Sequence, residues 1–337
     1  SDRPHDSPVL LRGNPAQRGP VVPRHFLEVL STETPQPFHD GSGRLELARS
    51  IASRNNPLTA RVMVNRVWLH HFGEGICRNP DDFGTRSEPP THPELLDHLA
   101  SRFMDDGWSV KKLHRLILTS SAYRQSSVRD AAKDRADPDN HLLGRMNSRR
   151  LEAEAIRDAI LVVSGKFNAK MFGAPVPVMT DDDGQIIVGV DTNDGAGRPT
   201  GKFVPLNGEE FRRSVYVQVR RSRPLSVMDP FDPPLLDPNC PQRNSSTVSP
   251  QSLFLMNSDF VQEHSRNLAE RIATTAGPDV KSQIVLAWRL VFGADPSEAE
   301  TAAAAAFVVA QTEVFQPKAL VAPATGVAAV PNPAGDP

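Results

Sequence analysis

Cysteine is nearly absent: two residues in 337, which excludes a disulfide-stapled scaffold. Cys77 and Cys240 could form one bridge in an oxidising compartment, and sequence leaves open whether they meet. There is no Cys-x-x-Cys-His, so these residues offer no attachment for a c-type haem, and no cofactor is expected in this chain. Net charge is also nearly absent, at −2, which removes the broad positive field of a nucleic-acid binder. No apolar run reaches the roughly 20 residues of a membrane-spanning helix, and no signal peptide opens the chain. It begins at Ser1 rather than Met, so the expectation is a fragment or processed form in which a missing leader says nothing about export.

Three familiar motifs are approached but not met. Asp82-Phe83-Gly84 lacks the catalytic loop and Gly-rich loop that give this tripeptide its role in kinases. Gly197 to Lys202 is one residue short of a phosphate-binding loop, and Asp181-Asp182-Asp183-Gly184 lacks the spaced ligands of a calcium loop.

What is present is helical periodicity, in a chain 39% hydrophobic, 23% charged and rich in proline (31 residues). Its length suits one or two domains. The clearest pattern lies between Asn56 and Ser120. Asn56-Pro57 reads as a helix start; Leu58, Val62, Asn65, Leu69 and Phe72 recur at helical spacing, and Gly73 suits a left-handed stop. Thr91-His92-Pro93-Glu94 reads as a capping box before Leu95, Leu96, Leu99 and Phe103. Ser109 caps a third helix, with Val110, Leu113, Leu116 and Ile117 on its buried side.

Between the first two helices lies a polar loop. Asp82, Glu88 and His92 are its candidate acid–base residues, since carboxylates and imidazole near one another can exchange protons with a substrate. No carboxylate pair there has a spacing that fixes hydrolytic geometry. Asn65 interrupts an apolar stripe: its plain reading is a bond to neighbouring backbone, its functional reading a ligand contact. His70 and His71 point about 100° apart, so they cannot readily chelate one ion. Either could sit at the negative helix end, or His71 could join the loop residues as a ligand. No set of residues commits to a metal.

Further along, Arg149 to Ser164 reads as a helix ended by Gly165, with Ala155, Ile156, Ala159, Ile160 and Val163 buried. Its charged side, including Arg149, Arg150 and Arg157, is either solvated or a buried network that fixes neighbours or grips an anion. Gln185–Val190 and the alternating Ser214–Arg220 suggest strands. Arg220, Arg221 and Arg223 could bind carboxylate, sulfate or phosphate oxygens, or form ordinary ion pairs. Ser249-Pro250 starts another helix, with Arg243 and Gln251 as polar candidates beside it.

The expected architecture is mainly α: a multi-helix core over 43–316 with a small antiparallel β insertion at about 185–220. An extended arm precedes it at 1–42, and 317–337, rich in Ala and Pro, reads as a disordered tail.

Several blocks carry a resemblance. RVMVNRVWLHHFGEGI, DDFGTRSEPPTHPELLDHLA, WSVKKLHRLILTSSAYRQSS, RRSVYVQVRRS and CPQRNSSTVSPQSLFLMNSDFV resemble a planctomycete domain of unknown function, number 1553. The likeness runs from about Arg12 to Phe292. It implies the C-terminal module of large exported proteins, many with a cytochrome-type haem module near the front. Implied partners are other modules of the same parent, and the implied location is periplasm or cell envelope. The family supplies no activity to transfer. The favoured reading is therefore an assembly or binding module beside a haem-type module. The alternative is a hydrolase or lyase on a polar or anionic polysaccharide, using the His/Asp/Glu loop and the Arg clusters. A third reading is a redox partner, although Trp68, Trp108 and Tyr123 read as core aromatics.

Overall fold

The computed structural model describes residues 4–192, 194, 196, 198, 200, 202, 204–234 and 240–315. The Ala/Pro-rich stretch 317–337 and part of the glycine-rich 191–201 loop lie outside them. The chain is mainly α-helical with two small antiparallel two-stranded sheets. Contacts divide it into two compact units where the sequence reading has one core: Ser1–Arg150 with Leu235–Asn244, and Leu151–Pro234 with Ser245–Pro337. Among the described residues no helix is long and apolar enough to cross a membrane.

The first unit opens on a hairpin, β1 (Ser7–Leu10) paired with β2 (Arg18–Val22), inside the stretch read as an extended arm. Helix α1 (Arg44–Ile51) follows, but its apolar residues Leu45, Leu47 and Ile51 are exposed rather than buried. The core is built by α2 (Thr59–Phe72), α3 (Pro93–Asp105) and α4 (Val110–Leu118). Val64, Trp68 and Phe72 of α2 meet Leu96, Leu99 and Phe103 of α3 and Leu113 and Ile117 of α4. Trp68 stacks on Phe72 at 4.1 Å between ring centres, and each such aromatic contributes about 1.5–3 kcal/mol by burial alone. Short helices α5 (Ser121–Arg124) and α6 (Ala131–Ala136) complete the unit.

Two start signals resolve differently from their expectation. Asn56 is not the formal cap of α2, yet its side chain accepts from Leu58 N at 3.0 Å and donates to Ile51 O, tying α1 to α2. Thr91 makes no capping box: its amide and hydroxyl both bond Ile76 O, so α3 starts after His92 without a side-chain cap. Ser109 caps α4 as its sequence implies.

The second unit contains α7 (Ala153–Ser164), β3 (Val178–Thr180), β4 (Ile186–Val188), α8 (Ser249–Asn257), α9 (Asp259–Ala276), α10 (Val280–Phe292) and α11 (Glu298–Phe315). Helix α7 packs on α9, and β3–β4 shelters Val178 against Val217 and Leu225. Ser214–Arg220, read as a strand, is instead a 3-10 turn at Ser214–Tyr216 with one isolated bridge from Val217 to Val176. The face of α7 is also rotated from its expectation. Ala153, Arg157, Leu161 and Ser164 are buried, and Ala155 is exposed.

Candidate functional site

The polar loop of the first unit is built from its closures. Gly73 ends α2 at φ +88°, a left-handed turn that glycine adopts without steric cost. Asn65, fully buried, then donates to Cys77 O at 2.9 Å and accepts from Cys77 N at 2.8 Å. Its plain reading therefore holds. Gly75 is required beside it, because a Cβ there would lie 2.4 Å from Cys77 O. At the far end Thr91 returns to Ile76 O, so the loop is shut at its base.

Inside this frame the candidate acid–base residues serve separate local roles. Asp82 accepts from Gly84 N at 2.8 Å, closing its own turn. Glu88 is largely exposed and faces Arg78 at 4.0 Å. The His92 ring nitrogen lies 3.0 Å from the Thr91 hydroxyl. Glu88 alone of the three lines a cleft of about 540 Å³ between the loop and the starts of α2 and α3. Its walls include Leu58, Phe83, Pro89, Pro90 and Leu96, and at its rim Arg61 binds Asp97 at 2.6 Å. The arrangement offers a mostly apolar hollow, with Glu88 and the Arg61–Asp97 pair as its charged lining.

His71 turns elsewhere. Its Nε2 lies 2.7 Å from Nδ1 of His114, and Tyr123 stands edge-on at 5.6 Å between ring centres. Burial, with help from His114, Arg149 and His70, pulls the His71 pKa below the usual imidazole range. Arg149 donates to His70 O at 2.5 Å, and Asn147 donates to Phe72 O, so this segment closes the C-terminus of α2. Arg150 is half-buried next to it. Among the described residues no group of three His, Cys, Asp or Glu side chains could hold a metal ion. Both cysteines are free: Cys77 is buried with its pKa raised by burial, and Cys240 is half-buried.

In the second unit the arginine cluster separates. Arg220 donates to Gln218, Arg223 pairs with Asp191 at 3.2 Å, and Arg221 is exposed in the turn. Gln251, buried, holds the start of α8 by accepting from Val248 N and donating to Ser246 O. Arg243, in the first unit, is half-buried.

Two buried arginines organise the second unit: Arg157, on the charged side of α7 that the sequence left open as solvated or a buried network, and Arg212, which sequence reasoning missed. Arg157 donates to the carbonyls of Arg212 (3.0 Å) and Glu210 (2.7 Å) and to the Ser214 hydroxyl. Asp158 beside it accepts from both Ser214 N and Ser214 Oγ at 2.7 Å. Burial lowers the Arg157 pKa, and Asp158 opposes that shift. Arg212 is 1% exposed, reaches the carbonyls of Lys170, Phe172 and Ala174, pairs with Glu209 at 3.0 Å, and lies 4.1 Å over the Tyr216 ring. The available signal was Arg157 standing four residues from Ala153 and Leu161, on an otherwise apolar stripe.

A family model described as PSD1, protein of unknown function (DUF1553), matches residues 43–308. No curated protein and no solved structure matches the chain.

Proposed function

From the premise that this chain belongs to the DUF1553 family, we propose that it is an assembly module, a folded support that positions other modules of a larger parent protein. One observation carries this reading: the buried polar side chains Asn65, Arg157, Arg212 and Gln251 are bonded to the chain's own backbone. Asn65 holds Cys77, Arg149 holds the end of α2, and Arg157 and Arg212 hold five carbonyls of the 170–212 segments. Meanwhile Asp82, Glu88 and His92 each serve a different local contact. Catalytic groups act on a shared substrate atom and must converge on it. Scaffolding groups have no such requirement. The finer context, a haem-type module in the same exported, envelope-associated planctomycete parent, is supported by the resemblance of the sequence blocks.

The test uses the parent protein without this chain, produced separately and titrated with this chain by calorimetry. Saturable one-to-one binding is the expected result. Failure to bind, or sustained cleavage of an anionic polysaccharide that is lost in Glu88→Gln or His92→Ala, overturns the reading in favour of the hydrolase alternative.

A further inference from the structure

Along α2 and the residue before it, Leu58, Val62 and Arg66 follow one another four residues apart, on one helix face, with Met63 beside them. Leu58 and Val62 read as core in the sequence, yet Val62 and Met63 are only half-buried and Arg66 is exposed. They floor a cleft of about 550 Å³, walled by Phe103 and Trp108, which shares only Leu58 with the lining of the proline-lined hollow. That volume falls within the roughly 300–1,000 Å³ of small-molecule sites.

Two features make this more than an uncovered face. Arg66 is the one charged residue of the lining, and among the described residues it has no hydrogen-bond or ion-pair partner. Arg61, five residues earlier on α2, is by contrast held by Asp97. The second feature is Trp108, whose φ of +59° is a left-handed conformation that bulky residues seldom adopt. Trp108 N donates to Phe103 O at 2.9 Å, and its indole stands edge-on to Phe103 at 5.4 Å between ring centres. The unusual turn thus keeps a large, half-buried aromatic on the wall of an apolar hollow with a single unpaired cation.

We propose that this cleft binds a small monocarboxylic acid with an apolar body. The apolar body lies against Val62, Met63, Phe103 and Trp108, and the carboxylate accepts two hydrogen bonds from the Arg66 guanidinium, whose planar fork fits it. One guanidinium balances one negative charge, which favours a carboxylate over a phosphate monoester carrying about −1.5 to −2. This site is independent of the assembly role and stands or falls separately.

The probe is 1-naphthylacetate, compared by calorimetry with its neutral amide, 1-naphthylacetamide, on the full chain. One saturating site is expected, with the amide about tenfold weaker, the difference expected of a charge-assisted hydrogen bond. Arg66→Met should weaken the acid about tenfold and make the two probes equivalent. Val62→Glu should abolish both, by placing a charge on the floor. Circular dichroism melts report whether each variant folds; should Val62→Glu not fold, the exposed Arg66→Met decides alone. Absence of saturation, equal affinity for acid and amide, or an unchanged affinity in Arg66→Met overturns the proposal. Sedimentation showing self-association that is abolished by Arg66→Met or Val62→Glu would also overturn it, assigning the cleft to a second copy of the chain.

Discussion

The side-chain amide of Asn65 is paired with both peptide groups of Cys77, donor to acceptor and acceptor to donor, at 2.9 and 2.8 Å. A buried peptide needs such partners, and here a helix supplies them to a loop that has no ladder of its own. Asn65→Ala leaves both groups unsatisfied and should cost about 2–5 kcal/mol, read as a lower urea midpoint at unchanged slope. Asn65→Asp cannot donate to Cys77 O and should also destabilise. Gly75→Ala should do the same by another route, pushing the Cys77 carbonyl away from a Cβ built 2.4 Å from it.

Arg212 predicts a larger effect. Its guanidinium reaches three loop carbonyls and Glu209 while almost wholly buried. Arg212→Met should destabilise by about 3–5 kcal/mol, because the three carbonyls lose their donor and Glu209 keeps only Lys170. Arg212→Lys should recover little of it, since an ammonium cannot reproduce the planar fork. Limited proteolysis between residues 168 and 176 gives the local readout, with faster cleavage expected in both variants.

Mild acidification should weaken the fold through its buried histidines. Burial lowers the pKa values of His71 and His264 in the folded state, so the fold favours their neutral rings. Unfolded, both rings bind protons near pH 6.5. Their contribution is therefore fully present above about pH 6.5 and is lost as pH falls through the lower folded values. Urea midpoints measured from pH 7.5 to 5 should decline, and His71→Gln should flatten part of that slope. Asp97, held low chiefly by its bond from Arg61, contributes stability that is lost only in more acidic solution.

The two thiols should differ in reactivity. Cys77 is buried and its thiol is pushed up by burial, with Asp82 adding to the shift, whereas Cys240 is partly exposed. A thiolate is the reactive form. A disulfide reagent at pH 8 should therefore label one cysteine quickly, with peptide mapping placing it at Cys240. Cys77 should follow only on unfolding. Rapid labelling of Cys77 would contradict the closed base of the loop.

The helices were largely legible, because apolar spacing and terminal glycines are local signals. Gly73, Gly165 and Gly293 all sit at left-handed helix ends, as short-range rules require. The faces were less legible. Helix α7 was read from its aliphatic residues, but its buried stripe includes Arg157, whose carbonyl partners lie more than fifty residues away. Thr91 looked like a cap and instead closes a loop on Ile76, a choice set by tertiary position rather than by its neighbours. Ser214–Arg220 alternated like a strand, yet Ser214 is drawn into a turn by Asp158. In the candidate loop the sequence placed Asp82, Glu88 and His92 close together along the chain, and their side chains make separate local contacts that only the folded loop reveals.

The dependence of α7 on distant carbonyls also sets an order of events during synthesis. A nascent chain that has exposed α7 carries a bare guanidinium on the stripe meant for the interior, and the carbonyl of Arg212 arrives 55 residues later. At about 5–20 residues per second that interval lasts several seconds. Through it Arg157 has only the neighbouring Asp158 for its charge, and the buried face of α7 gains its full set of partners when the later segment arrives.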